Sequence, residues 1–207
     1  MIGIMHPEVL SEKTKAVWDT CGFLKGFYLA GGTALALQLG HRISVDLDFF
    51  SDNPIQRTLL SEIEGIFGPV HILVKNKDEL TVIADEVKIT FLYYPFLLLH
   101  QTVSTGVVPL ASVKDIASMK AYTLGRRQSI KDYIDLYFIF SKNLISLSDA
   151  MGEARQKYGD AFNDRLFLEQ LLYSDDLEDE EINWLQEKVG KETMSDFFSV
   201  LITQAKL

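Results

Sequence analysis

Hydrophobic positions in the first half of the chain change period several times. Residues 7–24 set Val9, Leu10, Val17 and Trp18 at near-helical spacing behind Pro7, which predicts a first helix with proline in its opening turn. A short apolar run over 27–30 meets Gly31-Gly32, and residues 33–39 return to helix formers until Gly40 stops them. Residues 45–51 alternate Asp46 and Asp48 with Leu47 and Phe49, the pattern of a strand with both carboxylates on one face. Asn53-Pro54 opens a predicted helix reaching 67. Strand-like runs follow at 70–74, 80–84 and 87–94, the last two joined as a hairpin by Asp85-Glu86.

Beyond Pro109 the pattern becomes helical. Ser112 to Asp115 resembles a capping box, with the shorter Asp in place of Glu, for a helix reaching 124. Residues 125–128 predict a turn, and further helices are expected over 129–140, 147–158, 162–173, 179–189 and 193–205. The expected fold class is α+β: a mixed sheet flanked by helices over residues 1–110, with a helical half over 111–207 packed against it.

Composition narrows this picture. The 207 residues, 47% apolar and 24% charged, exclude wholesale disorder, collagen-like repetition and a disulfide scaffold. A single cysteine, Cys21, cannot close an intrachain bridge, which points to a reducing cytoplasm. The opening MIGIMHPEVL lacks the basic and apolar regions of a secretory signal, and the apolar stretch near 91–99 is too short to span a bilayer. No membrane role is expected.

Charge is unevenly spread. The net charge of −9 is matched by residues 149–196 alone, with 14 acidic and 5 basic side chains. Residues 111–142 instead carry six basic against three acidic side chains, so this stretch can attract phosphates on an acidic protein.

Two features could carry chemistry. Gly31-Gly32 between a strand and a helix lets a phosphate approach the helix N-terminal amides, although a tight turn is the commoner meaning of a lone glycine pair. Asp46 and Asp48 offer hard oxygen ligands suited to Mg²⁺ or Mn²⁺, or form a solvent-facing acidic pair. The four histidines show no metal-ligand spacing. Cys21 reads as a small buried hydrophobe.

In Gly31-Gly32-Thr33, in Arg42-Ile-Ser-Val-Asp46-Leu-Asp48-Phe49 and in DIASMKAYTLGRRQSIKDYIDLYFI (115–139), the sequence resembles the AbiEii-type toxins of the polymerase-beta-like nucleotidyltransferase superfamily. The resemblance implies a nucleotidyltransferase-like sheet and transfer of a nucleotidyl group from a nucleoside triphosphate to an acceptor hydroxyl. It makes Asp46 and Asp48 ligands of Mg²⁺ or Mn²⁺, and Gly31, Gly32, Thr33, Arg42 and Lys120 nucleotide-binding residues. The catalytic set becomes Asp46, Asp48, Lys120 and Asp135, where Asp135 positions or deprotonates the acceptor or fixes Lys120. Arg126, Arg127 and Lys131 are then expected to meet a polyanionic acceptor such as a tRNA 3′ end, and a cognate antitoxin protein is the implied partner.

One departure stands out. The superfamily's third carboxylate, on a later strand, falls at Thr90 in Val87-Lys88-Ile89-Thr90-Phe91, and a neutral hydroxyl cannot supply its charge. This keeps open a catalytically weakened nucleotide-binding or protein-interaction module on the same fold. Another D-x-D metal enzyme is the third alternative, without support from residues 115–139.

Overall fold

A computed structural model describes residues 5–124, 126–127, 129–173, 177 and 180–205. Their strands precede residue 94, and the regular elements after 112 are helices. The predicted first helix is divided: a 3-10 turn over Pro7–Val9 gives way to α1 over Glu12–Thr20 and a second 3-10 turn over Cys21–Phe23. Ser11 causes the break, because its hydroxyl accepts from Thr14 N and caps a new helix.

β1 (Tyr28–Leu29) leads into α2 (Gly31–Leu39), which Gly40 ends in the left-handed conformation. β2 covers Leu47–Ser51, so Asp46 lies just ahead of the strand. α3 runs only over Leu59–Phe67, a later start than Asn53-Pro54 suggested. There the Ser51 hydroxyl accepts from Asn53 N, a local turn that competes with helix. β3 (His71–Lys75), β4 (Glu79–Ala84) and β5 (Val87–Tyr93) complete a five-stranded sheet of order β1-β2-β5-β4-β3. β2 and β5 are parallel and the other neighbours antiparallel. Asp85 and Glu86, at φ 49° and 65°, form the tight β4–β5 turn.

Strand alternation sorts the two faces of the sheet. Leu47, Phe49, Ile89 and Phe91 are buried on one, where Phe49 stacks between Trp18 of α1 and Phe91. Asp48 and Thr90, paired in register across β2 and β5, belong to the other.

The helical half comprises α4 (Val113–Thr123), α5 (Ile130–Ser141), α6 (Leu147–Tyr158), α7 (Asp164–Leu172) and α8 (Lys191–Ala205). The N-cap half of the expected capping box is present: the Ser112 hydroxyl accepts from Asp115 N and donates to the Asp115 carboxylate. Asp115 also accepts from Lys157 Nζ at 2.7 Å and from Leu99 N and His100 N, tying α6 and the preceding loop to the start of α4. No described helix is long and apolar enough to cross a membrane.

The predicted helix over 179–189 is corrected. Its described residues, 180–189, are not helical, and they form an extended strap. Ile43 N donates to Asn183 O, Leu185 N and Gln186 N donate to His41 O, and Arg42 bridges Trp184 antiparallel. Amides and carbonyls used in this way cannot close helical turns.

Candidate active site

Four pieces of chain converge on one polar cleft of about 240 Å³. The N-terminus of α2 brings Gly32 and Thr33, the approach to β2 brings Arg42 to Asp46, and β2 brings Asp48. Lys120 of α4 lies opposite, with Arg127, Ser129, Lys131 and Asp132 around the start of α5. Glu181, Ile182 and Asn183 of the strap complete the rim.

The two glycines are required by geometry. Gly31 has φ +68°, and a Cβ there would sit 3.1 Å from Asp48 Oδ2. At Gly32 a Cβ would lie 2.3 Å from Arg42 Nη2, so the missing side chain leaves room for the guanidinium. Thr33 donates its hydroxyl to the Asp46 carbonyl and lies 2.7 Å from the Ser44 hydroxyl, which pins the segment ahead of β2 to α2.

Asp46 and Asp48 are both on the cleft, Asp46 with its carboxylate half-exposed. Burial, then the charge of Asp46, push the Asp48 carboxyl above its ordinary value, against weaker help from Lys88 and a hydrogen bond with Thr90. Lys88 Nζ stands 3.9 Å from Asp46 Oδ2, a partial counter-charge. This is an under-neutralised pair of hard oxygen donors. It fits a small divalent cation, because Mg²⁺ takes one or two carboxylates and completes its shell with water and substrate phosphates. No cluster of three or more His, Cys, Asp or Glu ligands occurs among the described residues.

Behind the cleft is a buried ionic network. Asp135 is fully buried, and four donors occupy its oxygens: His41 Nε2 at 2.8 Å and Arg42 Nε at 2.9 Å on Oδ1, Arg42 Nη2 at 3.1 Å and Lys120 Nζ at 2.7 Å on Oδ2. Asp132 takes Lys120 Nζ at 2.7 Å and both Nε and Nη2 of Arg127 at 2.7 and 2.8 Å. Burial alone would raise both carboxyls, but the cations hold Asp132 below the usual range and Asp135 well below it. Desolvation would likewise lower Lys120, yet the two aspartates keep its ammonium raised and charged.

Arg42, Lys120 and Arg127 against Asp132 and Asp135 leave one positive charge on this wall. An ammonium has three N–H donors, and two of those on Lys120 are directed at carboxylates.

The expected site residues therefore take different positions. Gly32, Thr33, Arg42, Asp46, Asp48, Lys120, Arg127 and Lys131 share the cleft lining. Gly31 lines a neighbouring groove that also contains Asp48. Asp135 lies beneath, in the network. Arg126 is directed elsewhere, over the Tyr122 ring at 4.1 Å with its guanidinium donating to Tyr122 O and Ala161 O. Lys131 pairs with Glu180 at 2.7 Å. Thr90 pairs in register with Asp48 and hydrogen-bonds its carboxylate. Ser44, Ser129, Glu181 and Asn183 were missed by sequence reasoning, the last two because their segment reads as helix.

The neighbouring groove, about 590 Å³, lies between the Asp48 face of the sheet and α4. Thr90, Leu92 and Thr81 line it from the sheet, and Met119 and Tyr122 from α4. Asp48, Lys120 and Arg127 belong to both cavities.

Comparison with known proteins identifies the fold and the family. The family model described as nucleotidyl transferase AbiEii toxin, type IV toxin–antitoxin system, matches residues 18–101 and 81–201. An uncharacterized protein of Aquifex aeolicus is 33% identical over 163 residues, covering 77% of this chain and 79% of its own. A crystal structure of a candidate nucleotidyltransferase from Helicobacter pylori superposes with a TM-score of 0.58 at 17% identity, over 95% of this chain and 97% of that one. JHP933 from Helicobacter pylori gives 0.55 at 17% identity, over 95% of each chain. The two structures share the fold, and the family match spans both the D-x-D segment and the helical network, so the chain belongs to the AbiEii nucleotidyltransferase toxin family.

Proposed function

We propose that this protein moves a nucleotidyl group from a nucleoside triphosphate to the hydroxyl of an RNA acceptor, and does so as the toxin of a bacterial toxin–antitoxin or phage-defence pair with a cognate antitoxin protein. The observation that carries the reading is the junction of two cavities at Asp48, Lys120 and Arg127. A two-substrate transfer needs two binding spaces that meet at the reacting atoms.

In this reading the triphosphate occupies the polar cleft, where Lys120, Arg127, Ser129 and Lys131 supply a hydroxyl and positive charge. The acceptor enters along the groove, presenting its hydroxyl beside Asp48. The acceptor hydroxyl gives up its proton to water, a new bond forms between that oxygen and the α-phosphorus, the α–β phosphoanhydride bond breaks, and pyrophosphate leaves. Asp46 and Asp48 would hold Mg²⁺ or Mn²⁺, which when bound lowers the pKa of the acceptor hydroxyl and offsets charge on the phosphoryl oxygens. Lys120 meets the phosphates with its remaining N–H. Asp132 and Asp135 are positioning residues that fix that ammonium.

A second reading, a nucleotide-binding module without turnover, is favoured by Thr90, which leaves Asp46 and Asp48 without a third carboxylate beside them. Incubation with Mg²⁺, labelled nucleoside triphosphates and total RNA separates the two. Transfer predicts label in RNA, with tRNA 3′ ends the first acceptor to examine; nucleotide binding with no labelled RNA supports the second reading.

A further inference from the structure

The extended strap over 180–186 spans the mouth of the cleft between two anchors. At one end Glu180 takes Lys131 Nζ at 2.7 Å and lies 3.1 Å from the Ser129 hydroxyl, both at the start of α5. At the other, the Ile43–Asn183, Leu185–His41 and Gln186–His41 main-chain hydrogen bonds join it to the segment ahead of Asp46. The Gln186 side chain adds a bond to Leu39 O at 2.7 Å. Glu181, Ile182 and Asn183 lie between or at these anchors and line the cleft, with Glu181 and Asn183 exposed.

The chemistry of the cleft is thus divided between its walls. Lys120, Arg127 and Lys131 supply cations from the helical side, whereas the strap supplies a carboxylate, an apolar side chain and an amide. A carboxylate repels phosphate oxygens and only accepts hydrogen bonds, so Glu181 suits the hydroxyls of a ribose or an exocyclic amine. The Asn183 amide both donates and accepts, which matches the edge of a nucleobase. Ile182 gives the flat ring an apolar contact.

We infer that the strap residues Glu181 and Asn183 recognise the nucleoside half of the bound triphosphate, ribose hydroxyls and base edge, and so set which nucleotide is used. The inference rests on the reading of the polar cleft as the nucleotide site. Because the strap is anchored through main-chain atoms and through Glu180 and Gln186, truncating Glu181 and Asn183 leaves it in place.

The test is calorimetric titration, with Mg²⁺ present, of ATP, GTP, CTP, UTP and inorganic tripolyphosphate into wild type and Glu181→Ala/Asn183→Ala. The wild type should bind at least one nucleotide more tightly than tripolyphosphate, and the double variant should lose roughly tenfold of that margin, as two hydrogen bonds are worth, with tripolyphosphate affinity unchanged or raised by the loss of the Glu181 charge. Glu181→Ala alone should narrow the preference for a ribonucleotide over its 2′,3′-dideoxy form. A double variant that keeps the full margin overturns the assignment, as does a wild type that binds tripolyphosphate and every nucleotide equally. A wild type that binds neither contradicts the cleft reading, and the strap assignment falls with it.

Discussion

Asp135 receives both arms of the Arg42 guanidinium, Nε at 2.9 Å and Nη2 at 3.1 Å, in a site closed to solvent. Arg42 lies four residues ahead of Asp46, and its main chain bridges Trp184 of the strap. This pair therefore fastens α5 to the segment that presents the carboxylates, and the same Asp135 holds Lys120 at 2.7 Å.

Asp135→Asn should destabilise the fold by about 3–5 kcal/mol, because it leaves the buried Arg42 charge without its carboxylate partner and Lys120 with Asp132 alone. Asp132→Asn should cost less, since Arg127 is 61% exposed and can turn to water. Urea unfolding of the two variants checks the order. An Asp135→Asn protein as stable as wild type would contradict it.

Asp48→Asn should leave stability at pH 7 unchanged or raised. The Asp48 carboxyl is held above its ordinary 3.8 by burial and by Asp46, so the folded state disfavours the charged form. That penalty is fully present above the folded-state value and fades as pH falls through it towards 3.8. Thermal melts of wild type and variant should converge in acid. A variant that melts lower at pH 7 would show that Asp48 is favourably paired.

Gly32→Ala places a methyl 2.3 Å from Arg42 Nη2, and the guanidinium cannot retreat without leaving Asp135. A loss of about 1–3 kcal/mol is expected, the usual range for overpacking. Gly65→Ala, inside α3 with nothing within 4 Å of the new methyl, is the control and should be neutral or stabilising. Equal melting temperatures for the two variants would refute the close approach at Gly32.

Much of this architecture was legible because it rests on local rules. The Asp46/Asp48 alternation marked β2, the Asp85-Glu86 turn marked the hairpin, and α6 ran over the residues expected, Leu147–Tyr158. What failed was set by distant partners. Residues 180–189 have helix-like composition, but the main chain of 41–43 captures their backbone groups. At the site, the residue types were readable while their pairing was not: nothing in the spacing shows that Asp135 faces Arg42 from 93 positions away, or that Arg126 is directed at Tyr122 and Ala161.

His41 predicts a pH response. It is fully buried, donating from Nε2 to Asp135, and burial outweighs that bond to hold its pKa below the ordinary 6.5. The unfolded chain then takes up a proton that the folded state refuses, so stability falls as pH drops below 6.5, by up to about 1.4 kcal/mol per pH unit for this one group. His41→Gln, which can still donate to Asp135, should flatten the stability profile between pH 6.5 and 5. An unchanged slope would mean that His41 titrates alike in both states.

The most direct measurement follows the position of the label. Wild type and Asp46→Asn/Asp48→Asn are incubated with Mg²⁺, RNA and each nucleoside triphosphate carrying ³²P at either the α or the γ phosphorus. Nucleotidyl transfer predicts RNA labelled from the α position only, pyrophosphate labelled from the γ position, and neither product with the double variant. RNA labelled from the γ position, or α-label transferred undiminished by the variant, would contradict the account.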